Sequence, residues 1–124
     1  MPASTKIAII EDEVAIAQMY AFKLSKLGYD VRMAYNGEDG LTLCVTYRPD
    51  LILLDLRMPV MDGAEMLKRL RATEWGSGIR VIILTNISRQ EAPSSLQFLN
   101  VDRYIVKAHY TPQQVVDIVG EVLG

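Results

Sequence analysis

Carboxylate, hydroxyl and ammonium side chains each follow a short apolar run of this 124-residue chain. Glu11 and Asp12 come directly after the run IAII, and Asp55 comes directly after LILL. Thr85 follows the run VIIL, and Lys107 follows YIV. Apolar runs of this length are typical of buried strands, so the five side chains are expected at strand ends, where the sites of α/β proteins lie.

The residue types in this set indicate phosphoryl transfer to a carboxylate. Carboxylates brought together repel one another, and each is pushed toward protonation unless a positive charge is near. Mg²⁺ relieves that repulsion, because it binds a few carboxylates together with waters and a phosphate oxygen. Lys107 adds a second positive charge and Thr85 a neutral hydrogen-bond donor. The set suits a carboxylate nucleophile, with the metal and the ammonium spreading the charge of the transition state.

The elements that would position these residues are five strands alternating with five helices. Runs such as IIL and LILL do not alternate polar with apolar residues, which is typical of parallel strands with both faces covered by helices. The five predicted strands comprise residues 6–10, 31–34, 51–54, 79–84 and 103–106. Right-handed crossovers then predict one doubly wound, flavodoxin-like α/β sheet in the order 2-1-3-4-5. The first and third strands are neighbours at the switch point of this order, which brings Glu11, Asp12 and Asp55 together.

Boundary signals accompany the predicted helices. Asn36 is predicted to cap the second helix, Gly63 to open the third, and Thr111 to cap the fifth. Pro93 lies where the first turns of the fourth helix should be, so we expect that helix to begin near residue 93 and to end at Asn100. The buried face of the first helix, which Gly28 should end, is predicted to comprise Ile16, Tyr20, Leu24 and Leu27.

Composition favours a single cytoplasmic domain. We expect a disordered tail over residues 1–5 and one domain over residues 6–124. The net charge of −2 gives no overall bias toward nucleic acid or anionic membranes. No leader is evident, and no apolar run approaches the ~20 residues of a membrane span. Cys44 is the only cysteine, so no intramolecular disulfide can form, and we interpret it as a core residue.

Four segments carry a resemblance to a known family. They are IIEDE at 9–13, LILLDLRMPVMDG at 51–63, VIILT at 81–85 and YIVKA at 104–108. In this order they resemble the response-regulator receiver domain of two-component signalling, over residues 6–123. The resemblance implies a stand-alone or excised receiver of the chemotaxis or phosphorelay type. Such a domain takes a phosphoryl group from a histidine kinase or phosphotransfer protein and then changes its partner-binding surface.

The resemblance also implies roles for individual acidic residues. Asp55 would be the phosphoacceptor. Glu11, Asp12, Asp55 and the backbone carbonyl of Arg57 would hold Mg²⁺. The domain would be no enzyme in the usual sense, although it would assist its own phosphorylation and dephosphorylation. It would be a monomer or a weak, phosphorylation-promoted dimer, with no membrane contact and no direct nucleic-acid binding.

Two further roles come from the same resemblance. Thr85 and Lys107 would bind the phosphoryl oxygens. Thr85 and Tyr104 would form the switch, with the aromatic ring swinging inward when Thr85 moves to the phosphate. The alternative for Tyr104 is simple packing on the surface of the sheet.

Asn86, Ala108 and Pro93 depart from the family pattern, and Pro93 does so within the family's usual signalling surface. Asn86 stands where the family usually has Ala or Gly, and Ala108 stands where it usually has a proline after a cis bond. A cis bond before a non-proline residue costs ~3–4 kcal/mol, so we expect a trans bond before Ala108. The same resemblance implies that Arg57 and Ile87 flank the path of a hydrolytic water and that Asn86 adds bulk beside it, so we expect these three residues to set the lifetime of the phosphorylated form.

Other functions are weaker interpretations of the same residues. A receiver-like interaction module that works without phosphorylation remains the alternative. An aspartate-nucleophile phosphohydrolase would need a second acid two residues after Asp55, where Arg57 cannot donate a proton at working pH. A dinucleotide-binding oxidoreductase lacks its glycine motif after the first strand. His109 is interpreted as an exposed loop residue and Trp75 as a packing residue far from the site.

Overall fold

The sheet has the predicted architecture. The structure is a computed structural model that describes residues 4–124. In that part of the chain five parallel strands lie in the order β2-β1-β3-β4-β5, which confirms the predicted topology. The strands are β1 (Lys6–Ile10), β2 (Asp30–Ala34), β3 (Leu51–Leu54), β4 (Arg80–Thr85) and β5 (Arg103–Val106).

The helices number one fewer than predicted. The described residues form four α-helices, namely α1 (Val14–Lys26), α2 (Gly37–Tyr47), α3 (Gly63–Arg71) and α4 (Pro112–Leu123). The expected helix between Pro93 and Asn100 is absent, and two 3₁₀ segments, Arg89–Glu91 and Ser94–Phe98, take its place.

Pro93 explains the missing helix. A proline pushes the preceding residue out of the helical region of the backbone map, and Ala92 is accordingly extended, with a ψ of 146°. Pro93 itself is extended, with a ψ of 132°, so it does not start an α-helix either. The extended pair Ala92-Pro93 therefore separates two short 3₁₀ turns, and no α-helix forms across it.

Alternate residues of the strands face two separate apolar layers. In β1, Ile7 and Ile9 pack with α1 and α4, while Ala8 and Ile10 pack on the opposite face with α2 and α3. The central strand β3 is buried along its whole length. Burial of both faces explains why β3 has no polar residue, whereas the edge strand β2 carries the exposed Asp30 and Arg32.

Helix boundaries follow the predicted capping residues in most cases. The side chain of Asn36 accepts a hydrogen bond from the Asp39 N–H at 2.8 Å, and Thr111 forms a capping box with Gln114. Gly63 begins α3 as predicted. Leu27 was wrongly placed on the buried face: α1 ends at Lys26, so Leu27 lies beyond it and is 62% exposed.

Three smaller expectations concern the chain outside the site. Of the predicted tail, residues 1–3 lie outside the described residues, while the carbonyl of Thr5 accepts a hydrogen bond from the Asp30 N–H. Cys44 is fully buried, and Trp75 packs on the core beneath the guanidinium of Arg48. None of the helices within residues 4–124 has both the length and the apolar character needed to cross a membrane.

Candidate functional site

The sheet places two buried carboxylates side by side. Glu11 and Asp55 come one residue after the paired ends of β1 and β3, where Ile10 lies opposite Leu54. The N–H of Asp55 donates to the carbonyl of Ile10 at 3.0 Å, and the N–H of Glu11 donates to that of Ala34 at 3.0 Å. Both backbones therefore continue the ladder of the sheet, which holds both side chains at its carboxyl edge.

Three carboxylates converge at this edge. One oxygen each from Glu11, Asp12 and Asp55 lies within 4.8 Å of the others, as the ligands of a single cation would. Backbone N–H groups orient two of them: Glu13 donates to Glu11 at 3.1 Å, and Arg57 donates to Asp55 at 3.4 Å. Asp12 alone of the three is exposed. This set of hard oxygen donors fits a divalent cation such as Mg²⁺.

Lys107 supplies a positive charge within the same cluster. Its Nζ lies 2.5 Å from a Glu11 oxygen and 3.6 Å from Oδ2 of Asp55. Burial raises the pKa of Glu11 to about 7, although the hydrogen bond from Lys107 acts to lower it. Burial acts to lower the pKa of Lys107, but the hydrogen bond to Glu11 and the charge of Asp55 outweigh burial and raise it. One ammonium faces three carboxylates, so a second cation would relieve the remaining repulsion.

An open cleft of about 380 Å³ gives access to the cluster. Asp55 and Thr85 contribute its buried part, and the hydroxyl of Thr85 accepts a hydrogen bond from the Ile87 N–H at 3.4 Å. The residues that line the cleft are Asp12, Glu13, Asp55, Arg57, Met58, Thr85, Asn86 and Ile87. All three residues predicted to tune hydrolysis thus border the same cleft as Asp55.

Tyr104 joins β5 to the loop that follows Thr85. The ring of Tyr104 is half-buried, and its hydroxyl donates a hydrogen bond to the carbonyl of Ile87 at 2.7 Å. The carbonyl of Ser88 lies 3.4 Å from the same hydroxyl. The structure therefore brings Tyr104 into contact with the segment two to three residues beyond Thr85. Tyr104 thus packs on the sheet and also donates a hydrogen bond to this loop.

The loop after Lys107 differs from the family pattern as expected. No cis peptide bond occurs in the described residues, so the bond before Ala108 is trans. Residues Lys107–His109 form a short 3₁₀ turn, and His109 is exposed, as predicted.

Two residues, Glu13 and Gly63, have contacts at the site that were not anticipated from the sequence. Glu13 lines the cleft beside Asp12, although the expected metal ligands did not include it. Gly63 lies directly against the backbone of Asp55, and its N–H donates to the carbonyl of Leu56 at 2.9 Å. Gly63 was predicted to open α3, but only the folded chain reveals how closely it approaches the candidate nucleophile.

A flavodoxin-like sheet with carboxylates and a lysine at its switch point defines a class of signalling domains. Residues 7–119 match the model of the family described as the response regulator receiver domain. The chain therefore belongs to the response-regulator receiver family, and it is a receiver domain of two-component signalling.

Relatives and solved structures agree with this assignment. The chain is 40% identical over 84 residues to the DNA-binding dual master transcriptional regulator RpaA of Synechocystis sp., covering 68% of this chain and 35% of RpaA. It is 36% identical over 110 residues to the probable transcriptional regulator ycf27 of Porphyridium aerugineum, and the match covers 89% of this chain and 44% of ycf27. The chain thus spans less than half the length of these relatives. It also superposes on the chemotaxis response regulator CheY4 of Vibrio cholerae with a TM-score of 0.87 and 26% identity. The superposition covers 97% of this chain and 99% of CheY4.

Proposed function

We propose that this receiver accepts a phosphoryl group on the carboxylate of Asp55, donated by a histidine kinase or a phosphotransfer protein. One observation carries the proposal. The buried Asp55 carboxylate lies between Glu11, Asp12 and Lys107 and opens onto a cleft. A buried carboxylate among other acids is unfavourable for the fold alone, which supports a chemical role.

In the proposed transfer one bond forms and one bond breaks. An Asp55 oxygen forms a bond to phosphorus while the bond from phosphorus to the donor's histidine nitrogen breaks, and that nitrogen keeps the electron pair. Mg²⁺ held by Glu11, Asp12, Asp55 and the carbonyl of Arg57 would neutralise charge on the phosphoryl oxygens. The carboxylates of Glu11 and Asp12 would hold that ion next to the nucleophile.

Lys107 and Thr85 are proposed to hold the phosphoryl group once it is transferred. The ammonium of Lys107 already lies 3.6 Å from Asp55, and the buried hydroxyl of Thr85 borders the same cleft. If Thr85 turns toward the phosphoryl group, the loop that Tyr104 holds through Ile87 moves with it. We propose that this movement is the switch that partners recognise.

The first test asks where the phosphoryl group is attached. Wild-type protein incubated with acetyl phosphate and Mg²⁺ should gain one acyl phosphate, identified by intact mass and by its cleavage with hydroxylamine. Asp55→Asn should gain none, because the amide keeps the shape and loses the anionic nucleophile. Asp62→Asn is the matched control, since asparagine also caps α3 and the change in charge is the same. Full modification of Asp55→Asn would exclude Asp55, and would favour a module that works without phosphorylation at this residue.

The second test concerns the metal. Calorimetric titration should show Mg²⁺ binding to wild-type protein, and Glu11→Ala with Asp12→Ala should abolish it while the fold remains intact. Glu13→Ala is the control, because Glu13 lines the cleft and is not a proposed ligand. Trp75 lies in the loop before β4, at the opposite end of the sheet, so its fluorescence should change little on binding. Unchanged affinity in the double variant contradicts the proposed ligand set.

The wider biological setting follows the same proposal. We propose a cytoplasmic domain that is a monomer or a weak, phosphorylation-promoted dimer. It acts as a phosphoacceptor that assists its own Mg²⁺-dependent phosphorylation and dephosphorylation rather than as an enzyme on other substrates. RpaA is by name a DNA-binding regulator. With a net charge of −2, the present chain is proposed to leave any DNA contact to other parts of such a regulator.

A further inference from the structure

The segment that replaces the fourth helix is attached by hydrogen bonds at its two ends and by one core side chain, Leu96, between them. We refer to residues 88–98 as the strap. Leu96 is its only buried residue, and it contains just the two 3₁₀ turns around Pro93. Within the described part of the chain, the hydrogen bonds made between residues 89 and 98 are local, such as Ala92 N–H to Arg89 and Leu96 N–H to Pro93. Segments with few buried apolar groups and only local hydrogen bonds open at low cost.

The near end of the strap is attached through the side chain of Tyr104. Its hydroxyl carries the hydrogen bond, and its ring lies under the guanidinium of Arg89, which is 5.7 Å from the ring centroid. Tyr104 donates to the carbonyl of Ile87 at 2.7 Å and lies 3.4 Å from that of Ser88. A single O–H donates fully to one acceptor at a time, and a neutral hydrogen bond contributes about 1 kcal/mol. The hydrogen bond at this end is therefore weak and can break readily.

The far end is attached through a charged fork with several partners. The guanidinium of Arg71 donates to Leu99 at 2.8 Å and to Asn100 at 2.9 Å. The same group donates to the carbonyls of Gly76 at 2.8 Å and Ile79 at 2.7 Å in the loop before β4. Hydrogen bonds from an ionised group are roughly twice as strong as neutral ones.

The backbone just beyond the strap is also fixed. Asn100 has a positive φ of 53°, which turns the chain sharply toward β5. Asp102 and Val81 then exchange two hydrogen bonds of 2.8 Å, one of them through the Asp102 carboxylate. An opening that begins at Tyr104 thus meets a rigid point at residues 99–102.

We propose that the strap opens as a unit, released at Tyr104 and hinged at the end that Arg71 holds. In the closed form an open groove of about 600 Å³ runs between the strap and β5, bordered by Ala92, Leu96, Val101 and Tyr104, of which only Leu96 is buried. Opening uncovers these side chains while the sheet stays folded. Arg71 is in this view a clasp that confines the opening to residues 88–98 and keeps it from spreading into β4 and β5.

Hydrogen exchange on the intact chain tests the strap itself. The amides of Ala92 and Leu96 should exchange more than about 100-fold faster than those of β4 and β5, since they open without global unfolding. Tyr104→Phe should raise exchange at Ala92 by on the order of ten-fold, the loss of one hydrogen bond, and should leave Leu99 unchanged. Protection of the strap equal to that of β4 would overturn the proposal.

A second variant tests the clasp. Arg71→Lys keeps the charge but loses the fork, so exchange should rise together at Leu99 and at Gly76, which the one guanidinium joins. Arg69→Lys is the control, because Arg69 lies in the same turn of α3 and pairs only with the exposed Glu65. A rise at one of the two amides alone, at neither, or uniformly across β4 and β5 would refute the clasp.

Discussion

Gly63 packs so closely against Asp55 that a Cβ atom at residue 63 would overlap the Asp55 carbonyl oxygen and lie 2.9 Å from the Cα of Leu56. Both of these atoms belong to the backbone and cannot rotate away. The first turn of α3 thus abuts the residue that we propose as the phosphoacceptor. Only glycine, which has no side chain, fits this contact.

Gly63→Ala should therefore destabilise the protein by at least ~2 kcal/mol, because the new methyl group forces the backbone of Asp55 to move. Urea unfolding followed by circular dichroism measures the change. Gly120→Ala is the matched control. It lies in α4 with no atom within 4 Å of an added Cβ, so the substitution should stabilise the helix by ~1 kcal/mol. Equal effects of the two substitutions would show that the contact at Gly63 is unimportant.

Val60 is strained in the loop between β3 and α3. Its φ is 69°, and the N–H of Met61 donates across it to the carbonyl of Pro59 at 2.7 Å, closing a three-residue turn. A β-branched residue in this region is a backbone outlier, at a cost of about 1–2 kcal/mol. The side chain is 75% exposed, so little packing compensates for the strain.

Val60→Gly should consequently stabilise the protein by about 0.5–1 kcal/mol, after the larger backbone entropy of glycine in the unfolded chain is subtracted. The midpoint of urea unfolding should rise. Val45→Gly provides the contrast, because Val45 is also exposed but lies within α2 with helical geometry. That substitution should lower stability by about 0.5 kcal/mol. A loss of stability in both variants would argue against strain at Val60.

The fold was predictable where one physical cause dominates. Runs with both faces apolar admit few arrangements, so the strands and their order followed from the sequence. The fourth helix was predicted wrongly because a proline is tolerated at the start of a helix, whereas the effect of Pro93 on Ala92 decided the backbone here. Leu27 was misplaced because periodicity does not fix the last residue of a helix.

The site was predictable in its residue types and much less in its contacts. Strand ends placed Glu11 and Asp55 together, since neighbouring parallel strands end at one edge. The direct ion pair of Lys107 with Glu11 depends on side-chain rotamers that no spacing encodes. Arg71 resembles an ordinary surface cation in the last turn of α3, and nothing local signals that it joins the loop after α3 to residues 99–100, far along the chain.

The buried thiol of Cys44 should be nearly inert in the folded protein. Burial raises its pKa to about 12, so the reactive thiolate is a minute fraction of the thiol at pH 8. In the unfolded chain an ordinary cysteine has a pKa of about 8.5, and a substantial fraction is ionised at the same pH. Alkylation by iodoacetamide should therefore be more than about 1,000-fold slower in native buffer than in denaturing urea. Comparable rates in the two conditions would mean that Cys44 is accessible.

The next prediction rests on the proposed function and concerns the lifetime of the phosphorylated form, which the residues that border the cleft should set. Hydrolysis needs a water in line with the bond from phosphorus to Asp55, so side chains on that path set the rate. Ile87 is stiff and half-buried beside the cleft, and the exposed Arg57 is close enough to its mouth to contact a phosphate oxygen. Asn86 adds bulk at the same mouth.

We predict that Arg57→Ala combined with Ile87→Ala speeds the decay of phosphorylated protein by about ten-fold, which corresponds to ~1.4 kcal/mol in the barrier. Decay in Mg²⁺ buffer after removal of the phosphodonor is followed by intact mass. Arg69→Ala serves as the control, because it removes an arginine whose partner Glu65 lies on α3 and which does not line the cleft. If Arg57 instead orients the attacking water, its removal slows decay. Decay of the double variant at or below the wild-type rate would show that these two side chains do not shield the phosphorus, and that the lifetime is set by other groups.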